Sequence, residues 1–262
     1  MKRILCLFLE LILFVAGIST ASAQILSVQF MTTGSPVQNG FQSFSLSSTV
    51  GVANPTQSYT DTLGDTVSVE LLSSSASVES RFNAGATNKT NFTNANLFNG
   101  FAVQFNHVQA ADNGASSLPN TNSLMVGGLA ANTTYQIQIW SIDTRNSSNT
   151  GSYDWWYDST KGTGSSAVLI GGIQNNTSTT FAEPPDTTAS NNLYSVTGYI
   201  TTNSSGVFDL ADVTGANTIN GGSNSGLING FTLSAVPEPS TYALMIGGLT
   251  ALVVTIRRRQ RD

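Results

Sequence analysis

Hydrophobic and polar positions alternate with a period of two through much of the chain between residues 24 and 236. In Tyr135-Gln136-Ile137-Gln138-Ile139-Trp140, Tyr135, Ile137 and Ile139 fall on one side and the glutamines on the other. Val67, Val69 and Leu71 alternate with Thr66, Ser68 and Glu70, and Phe101, Val103 and Phe105 alternate with Ala102 and Gln104. Tyr194, Val196 and Ile200 continue the pattern, as do Leu227, Phe231 and Leu233. This alternation predicts strands with one buried face. The apolar run Ala167 to Ile170 is unbroken and predicts a strand buried on both faces. Only a stretch around 91–98 suggests a short helix. Asn54-Pro55, Asp112-Asn113-Gly114, Ser147 to Gly151, Pro184-Pro185-Asp186 and Gly221 to Asn224 supply the residue types of tight turns. Short strands separated by turns, with no sustained helical period, predict an all-β chain folded as a single β-sandwich. No short repeat emerges, which argues against a solenoid or propeller, and regular Thr-x-Thr arrays are absent.

The two ends depart from this pattern. Residues 1–23 begin Met1-Lys2-Arg3, continue as an apolar run from Ile4 to Ile18 that Glu10 interrupts, and end Ala21-Ser22-Ala23 before Gln24. A basic start, an apolar middle and a small-x-small site make a secretory signal peptide, with Ala21, Ala23 and Gln24 at the signal-peptidase site. Cys6 leaves with it, so no cysteine remains in the mature chain. The other end, 236–262, reads Val236-Pro237-Glu238-Pro239-Ser240-Thr241, then apolar residues from Tyr242 to Ile256, then Arg257-Arg258-Arg259-Gln260-Arg261-Asp262. The apolar run has 15 residues. As a helix it covers roughly 22 Å of a hydrocarbon core of about 30 Å. Ser240 and Thr241 extend it and the arginines can snorkel, which predicts a transmembrane helix over 241–256. Arg257, Arg258, Arg259 and Arg261 act as a cytoplasmic stop-transfer cluster. The two prolines keep the helix from starting earlier.

A Val-Pro-Glu-Pro-Ser-Thr motif, a short glycine-bearing apolar span and an arginine-rich end, in that order at the extreme C-terminus, resemble the PEP-CTERM protein-sorting signal. The resemblance implies that an exosortase, a membrane-embedded transpeptidase-like enzyme, recognises Val236, Pro237, Glu238 and Pro239 and removes the tail. These are then substrate residues rather than catalytic ones. It further implies an inner-membrane-anchored precursor in a Gram-negative bacterium, later released or attached at the cell surface, with a role in an exopolysaccharide or biofilm matrix.

Charge narrows the field. Segment 24–236 keeps four basic residues, Arg81, Lys89, Arg145 and Lys161, against twelve acids, a net charge of −8. That excludes the basic footprint of a nucleic-acid binder. With His107 as the single histidine, Cys/His zinc sites and Cys–His or Ser–His nucleophilic pairs have no residues to build them.

Within 24–235, the stretch Ser123-Leu124-Met125-Val126-Gly127-Gly128-Leu129-Ala130-Ala131-Asn132-Thr133-Thr134-Tyr135 leads into Gln136 to Asp143 as strand, small-residue corner and strand. It is similar to the corner of galactose-binding-like jelly-roll modules on exported bacterial proteins. The closing Gly226-Leu227-Ile228-Asn229-Gly230-Phe231-Thr232-Leu233 resembles their last strand. Fibronectin type III domains carry a related leucine-to-tyrosine corner, but 213 residues are too many for one such domain of about 100. A single jelly-roll-like sandwich with long loops is the expectation.

Candidate chemistry is sparse. Asp154 and Asp158 bracket Trp155-Trp156-Tyr157, and Tyr153 precedes them. An aromatic loop of this kind can stack on sugar rings, making Tyr153, Trp155, Trp156 and Tyr157 candidate glycan-binding residues. The alternative is that a tryptophan packs on the sandwich while the acids solvate the loop. Paired carboxyls also serve glycoside hydrolysis, which needs a raised pKa on one of them. Asp61 with Asp65, or Asp209 with Asp212, can donate oxygens to a structural calcium, but neither forms a dedicated calcium loop and no ligand set is chosen. His107 reads as a surface or edge residue. The expectation is therefore a non-enzymatic exported protein without a cofactor. Its partners are signal peptidase, exosortase, the membrane before processing and exopolysaccharide. A secreted carbohydrate-binding module is the alternative.

Overall fold

Alternation becomes burial where the sequence shows it most plainly. Val67, Val69 and Leu71 are fully buried while Thr66, Ser68 and Glu70 keep solvent contact. Tyr135, Ile137 and Ile139 are buried between half-exposed glutamines. The computed structural model describes residues 23–47, 52–73, 78–82, 95–103, 107–110, 118–141, 152–175, 195–215, 227–236 and 256. Its strands are β1 (Gln24–Thr32), β2 (Gln42–Leu46), β3 (Thr56–Thr60), β4 (Thr66–Leu71), β5 (Glu79–Phe82), β6 (Gly100–Val103), β7 (His107–Ala110), β8 (Leu124–Gly127), β9 (Thr134–Trp140), β10 (Ser152–Asp158), β11 (Val168–Asn175), β12 (Ser195–Thr201), β13 (Phe208–Gly215), β14 (Leu227–Ile228) and β15 (Gly230–Ala235). The predicted short helix is a 3₁₀ turn at Ala95–Asn99, with 91–94 outside the described residues. Of the predicted turn clusters, Asn54-Pro55 is described, with Asn54 at a φ of 47°; the other four lie outside the described residues.

Among the described residues the strands form three sheets. One runs β12-β9-β15-β1-β2. A second runs β11-β10-β13-β8-β4-β3, with β7 also beside β13. A small third sheet is β14-β6-β5. The pairs β1–β2 and β7–β13 are parallel. The first two sheets pack face to face as a sandwich, so the predicted class is the observed one.

At one side the sheets close directly upon each other. A Cβ at Gly171 of β11 would stand 2.5 Å from Val196 Cγ2 of β12, and one at Gly198 of β12 would stand 2.6 Å from Ile170 Cγ2. This corrects the doubly buried reading of 167–170. Here β11 is the end strand of its sheet, paired with β10 alone among the described residues, and Val168 and Leu169 are 61% and 43% exposed. A short apolar run does not reveal whether a sheet continues beyond it.

The unit formed by residues 24–234 begins and ends on neighbouring strands, since Gln24 pairs with Ser234 across β1 and β15. From Ile25 to Met31, β1 is buried on both faces. Ser27 and Gln29 are the polar residues in that stretch, and Gln29 is fully buried with both ends of its amide bonded. Its Nε2 donates to Asn96 O (2.8 Å) and Pro36 O (3.3 Å), and its Oε1 accepts from the Gln38 N–H (2.6 Å). The bonds to Pro36 and Gln38 hold the loop that carries the chain from β1 to its parallel partner β2, and the bond to Asn96 ties in the 3₁₀ turn.

The leucine-to-tyrosine corner is present. Gly128 adopts a φ of +86° after β8, and the Tyr135 hydroxyl accepts from the Ala130 N–H at 3.2 Å. The turn between β12 and β13 docks onto it. Leu129 N–H donates to Gly206 O (3.0 Å), and the buried Thr202 Oγ1 donates to Ala130 O (2.7 Å) and accepts from the Thr133 N–H (2.9 Å). Gly206, at a φ of +72°, lets the Leu129 carbonyl sit where a Cβ would be. Tyr135→Phe keeps the ring and removes this acceptor. It is expected to cost about 1 kcal/mol, read as a lower denaturant midpoint with an unchanged slope.

The other unit comprises 1–23 and 235–262. Of it, Ala23, Ala235, Val236 and Ile256 are described. Ala235 N–H donates to Ala23 O at 2.9 Å, and Ile256 is helical. The remaining signal-peptide and sorting-signal residues named above lie outside the described residues, including most of the predicted transmembrane helix. Among the described residues no helix is long and apolar enough to cross a membrane.

Candidate functional site

The aromatic segment predicted as a loop is the strand β10, hydrogen-bonded to β11 on one side and β13 on the other. Its residues therefore alternate between two faces. Trp156 pairs with Gly171 on β11 and with Asp212 on β13. Gly171 abuts Val196 of the opposite sheet, so Trp156, Asp212 and Asp154 share the face that points into the sandwich. Trp156 is fully buried there. On the reverse face Tyr157, 2% exposed, packs with Ala211 and Val213 under Trp155 and Ala167. Burial pushes the Tyr157 hydroxyl pKa up. Trp155 lies partly exposed across Gly172, where a Cβ would come within 2.7 Å of the indole ring.

This corrects the aromatic-loop reading for two residues. Trp156 and Tyr157 have no free face on which a sugar ring could stack, because Trp156 is buried against the opposite sheet and Tyr157 is buried beneath Trp155 and Ala167. Trp155 alone of the pair of tryptophans reaches solvent. The side chain of Tyr153 lies outside the described residues.

The unpredicted feature is a pair of carboxyls in the interior. Asp154 is 2% exposed and Asp212 is fully buried. They sit diagonally on adjacent strands, because Asp154 pairs with Thr214 and Asp212 with Trp156. The Ser141 hydroxyl donates to Asp154 Oδ2, which gives this buried oxygen a partner. The Asp212 N–H donates to Ser123 Oγ at 3.0 Å, but neither Asp212 carboxyl oxygen has a hydrogen-bond partner. Desolvation first, and the neighbouring Asp154 second, push the Asp212 pKa well above the ordinary carboxylate range. Of the pair, Asp212 is the member whose neutral form this environment favours. The single histidine, His107, stands opposite Asp212 in the parallel backbone register of β7 and β13.

Sequence spacing had coupled Asp154 with Asp158, and Asp209 with Asp212; the sheet couples Asp154 with Asp212 instead. One signal was available. Phe208, Leu210 and Asp212 form a period-two series, so an acid occupied an inward position.

Asp61 and Asp158 serve local structure. Asp61 Oδ1 accepts from the Leu63 and Asp65 N–H groups, both at 2.9 Å, closing its own turn. Asp158 Oδ1 accepts from the Thr160 N–H (3.0 Å), and Thr160 Oγ1 accepts from the Asp209 N–H (3.1 Å). Burial, and then Asp158, raise the Asp209 pKa. Asp209 and Asp212 lie on opposite faces of β13 and cannot share a cation. Among the described residues no three of His, Cys, Asp and Glu come together to hold a metal.

Against known proteins, the family described as the PEP-CTERM protein-sorting motif matches residues 235–259. No curated protein and no solved structure matches the chain. The matched segment contains the Pro237-Glu238-Pro239 element, the apolar run and the first arginines, and its first residue closes β15. A chain with this motif is an exported protein directed to an exosortase.

Proposed function

Starting from a chain that carries a PEP-CTERM sorting motif, we propose a non-enzymatic protein of the bacterial envelope or extracellular matrix. It leaves the cytoplasm through its signal peptide and is held in the inner membrane by the helix over 241–256, with Arg257 to Arg261 on the cytoplasmic side. The exosortase then processes it at Val236 to Pro239. The observation that carries this reading is the match at 235–259, which starts where the folded body stops.

Two features support a non-enzymatic body. The interior carboxyl pair has almost no exposed surface, so no substrate can lie across it. Asp61 and Asp158 each cap their own turn.

The test is intact mass and fractionation of the protein from its host, with and without the exosortase. We expect a species that starts at Gln24 and lacks the arginine tail only where the enzyme is present. Replacing Pro237, Glu238 and Pro239 together with alanine should leave the tail in place and the protein in the inner membrane. A tail retained in both strains would overturn the proposal.

A further inference from the structure

The outer face of β9 and β12, turned away from the sandwich core, carries no charged side chain. Thr134 stands opposite Thr201, Gln136 opposite Tyr199, and Gln138 opposite Thr197. The Thr134 and Thr201 hydroxyls lie 2.9 Å apart, which holds that cross-strand row in place, and Gln138 Nε2 donates diagonally to Ser195 Oγ at 3.4 Å. Tyr199 is 62% exposed and is the one aromatic among the large exposed hydrophobic side chains of the described residues. No charged residue occurs in β9, in β12 or in the neighbouring strand β15.

A sugar ring offers an apolar C–H face and a rim of hydroxyls. An exposed tyrosine matches the first, and amides and hydroxyls, each able to donate and accept, match the second. Charge selects among polymers. This face has no basic group for a carboxylate, sulfate or phosphate, and the body around it carries a net charge of −8, so an anionic chain is repelled and a neutral one is not. We propose that the outer face of β9 and β12 binds a neutral polysaccharide. Tyr199 stacks on a sugar ring, while Gln136, Thr197 and the Thr134–Thr201 pair meet its hydroxyls. The proposal deepens the envelope reading by naming what the exported body would hold. Sorting and binding are read by separate assays, so either can fail alone.

The test is affinity electrophoresis of the purified exported protein through gels containing dextran, a β-1,3-glucan or a glucomannan, with alginate as the anionic comparison. We expect retardation by at least one neutral polymer, insensitive to salt. It should weaken about tenfold in Tyr199→Ala, as the loss of one stacking contact implies, persist in Tyr199→Trp, and decrease in Gln136→Ala. Since Tyr199 is mostly exposed, its variants should keep the wild-type denaturation midpoint. No retardation by any of the three neutral polymers, retardation by alginate alone, or equal retardation of wild type and Tyr199→Ala would each overturn the proposal. Binding that disappears in Trp155→Ala but survives Tyr199→Ala would do the same and move the site to β10.

Discussion

Trp156→Ala is expected to lower the stability of the sandwich by about 3–5 kcal/mol, the cost of removing a fully buried large aromatic side chain from a core that cannot collapse around the gap. Trp156 has no exposed surface and stands on a strand hydrogen-bonded along both edges, so the backbone around it is held. Against a typical domain stability of about 5–15 kcal/mol, such a loss leaves a marginal fold. Trp155→Ala, one residue away, should cost clearly less, because that ring is partly exposed and lies across Gly172. Paired urea titrations of the two variants read the difference as midpoints at comparable slope. Equal shifts would show that the two faces of β10 are not divided as described. The contrast also governs how binding data are interpreted. Loss of glycan binding in Trp156→Ala reports unfolding, so Trp155→Ala is the variant that tests the aromatic strand as a surface.

A second large effect should appear in the dependence of stability on pH. A folded-state pKa raised above the ordinary value of about 3.9 means that the native chain keeps a proton which the unfolded chain has released. For Asp212 this makes stability fall as pH rises from about 4, and level off once pH passes the raised native value. Asp212→Asn has no proton to lose and puts no charge beside Asp154. It should therefore be more stable than wild type at pH 8, with the advantage shrinking toward zero near pH 4. The advantage grows by about 1.4 kcal/mol for each pH unit between the two pKa values. Asp209 is shifted in the same direction, so wild type alone does not isolate Asp212; the wild-type-minus-variant difference does. A parallel His107→Gln series accounts for the residue opposite Asp212 in the β7–β13 register. Stability curves of wild type and Asp212→Asn that run parallel from pH 4 to pH 8 would show that the interior acid is not protonated. Asp154→Asn should behave differently, because it also removes the acceptor of the Ser141 hydroxyl.

These two effects come from features that the sequence presented unequally. A tryptophan pair in an alternating context was visible, but which indole faced the core was not. Either neighbour could have been inward until β11 and β13 were placed beside β10. The carboxyl pair was less legible still. Asp154 and Asp212 are 58 residues apart in the chain and meet only because β10 and β13 are antiparallel with Trp156 opposite Asp212. Likewise, the apolar run at 167–170 predicted a strand correctly, but not its place at the end of a sheet.

What the sequence determined by itself is local. The PEP-CTERM motif at 235–259 is a short contiguous signal of Pro-Glu-Pro, apolar span and arginines, legible without any fold. Strand identity in β4, β9 and β12, and the corner ending at Tyr135, are local too, because a period of two is a property of neighbouring residues. The tertiary structure decided everything that depends on which strand lies beside which. It buried Trp156 and Tyr157 on opposite faces of one strand, brought two acids together away from water, and made a continuous uncharged surface from β9 and β12. The physical reason is that backbone alternation specifies two faces for each strand but no neighbour for either. Burial, pKa and binding surface are set by the neighbours.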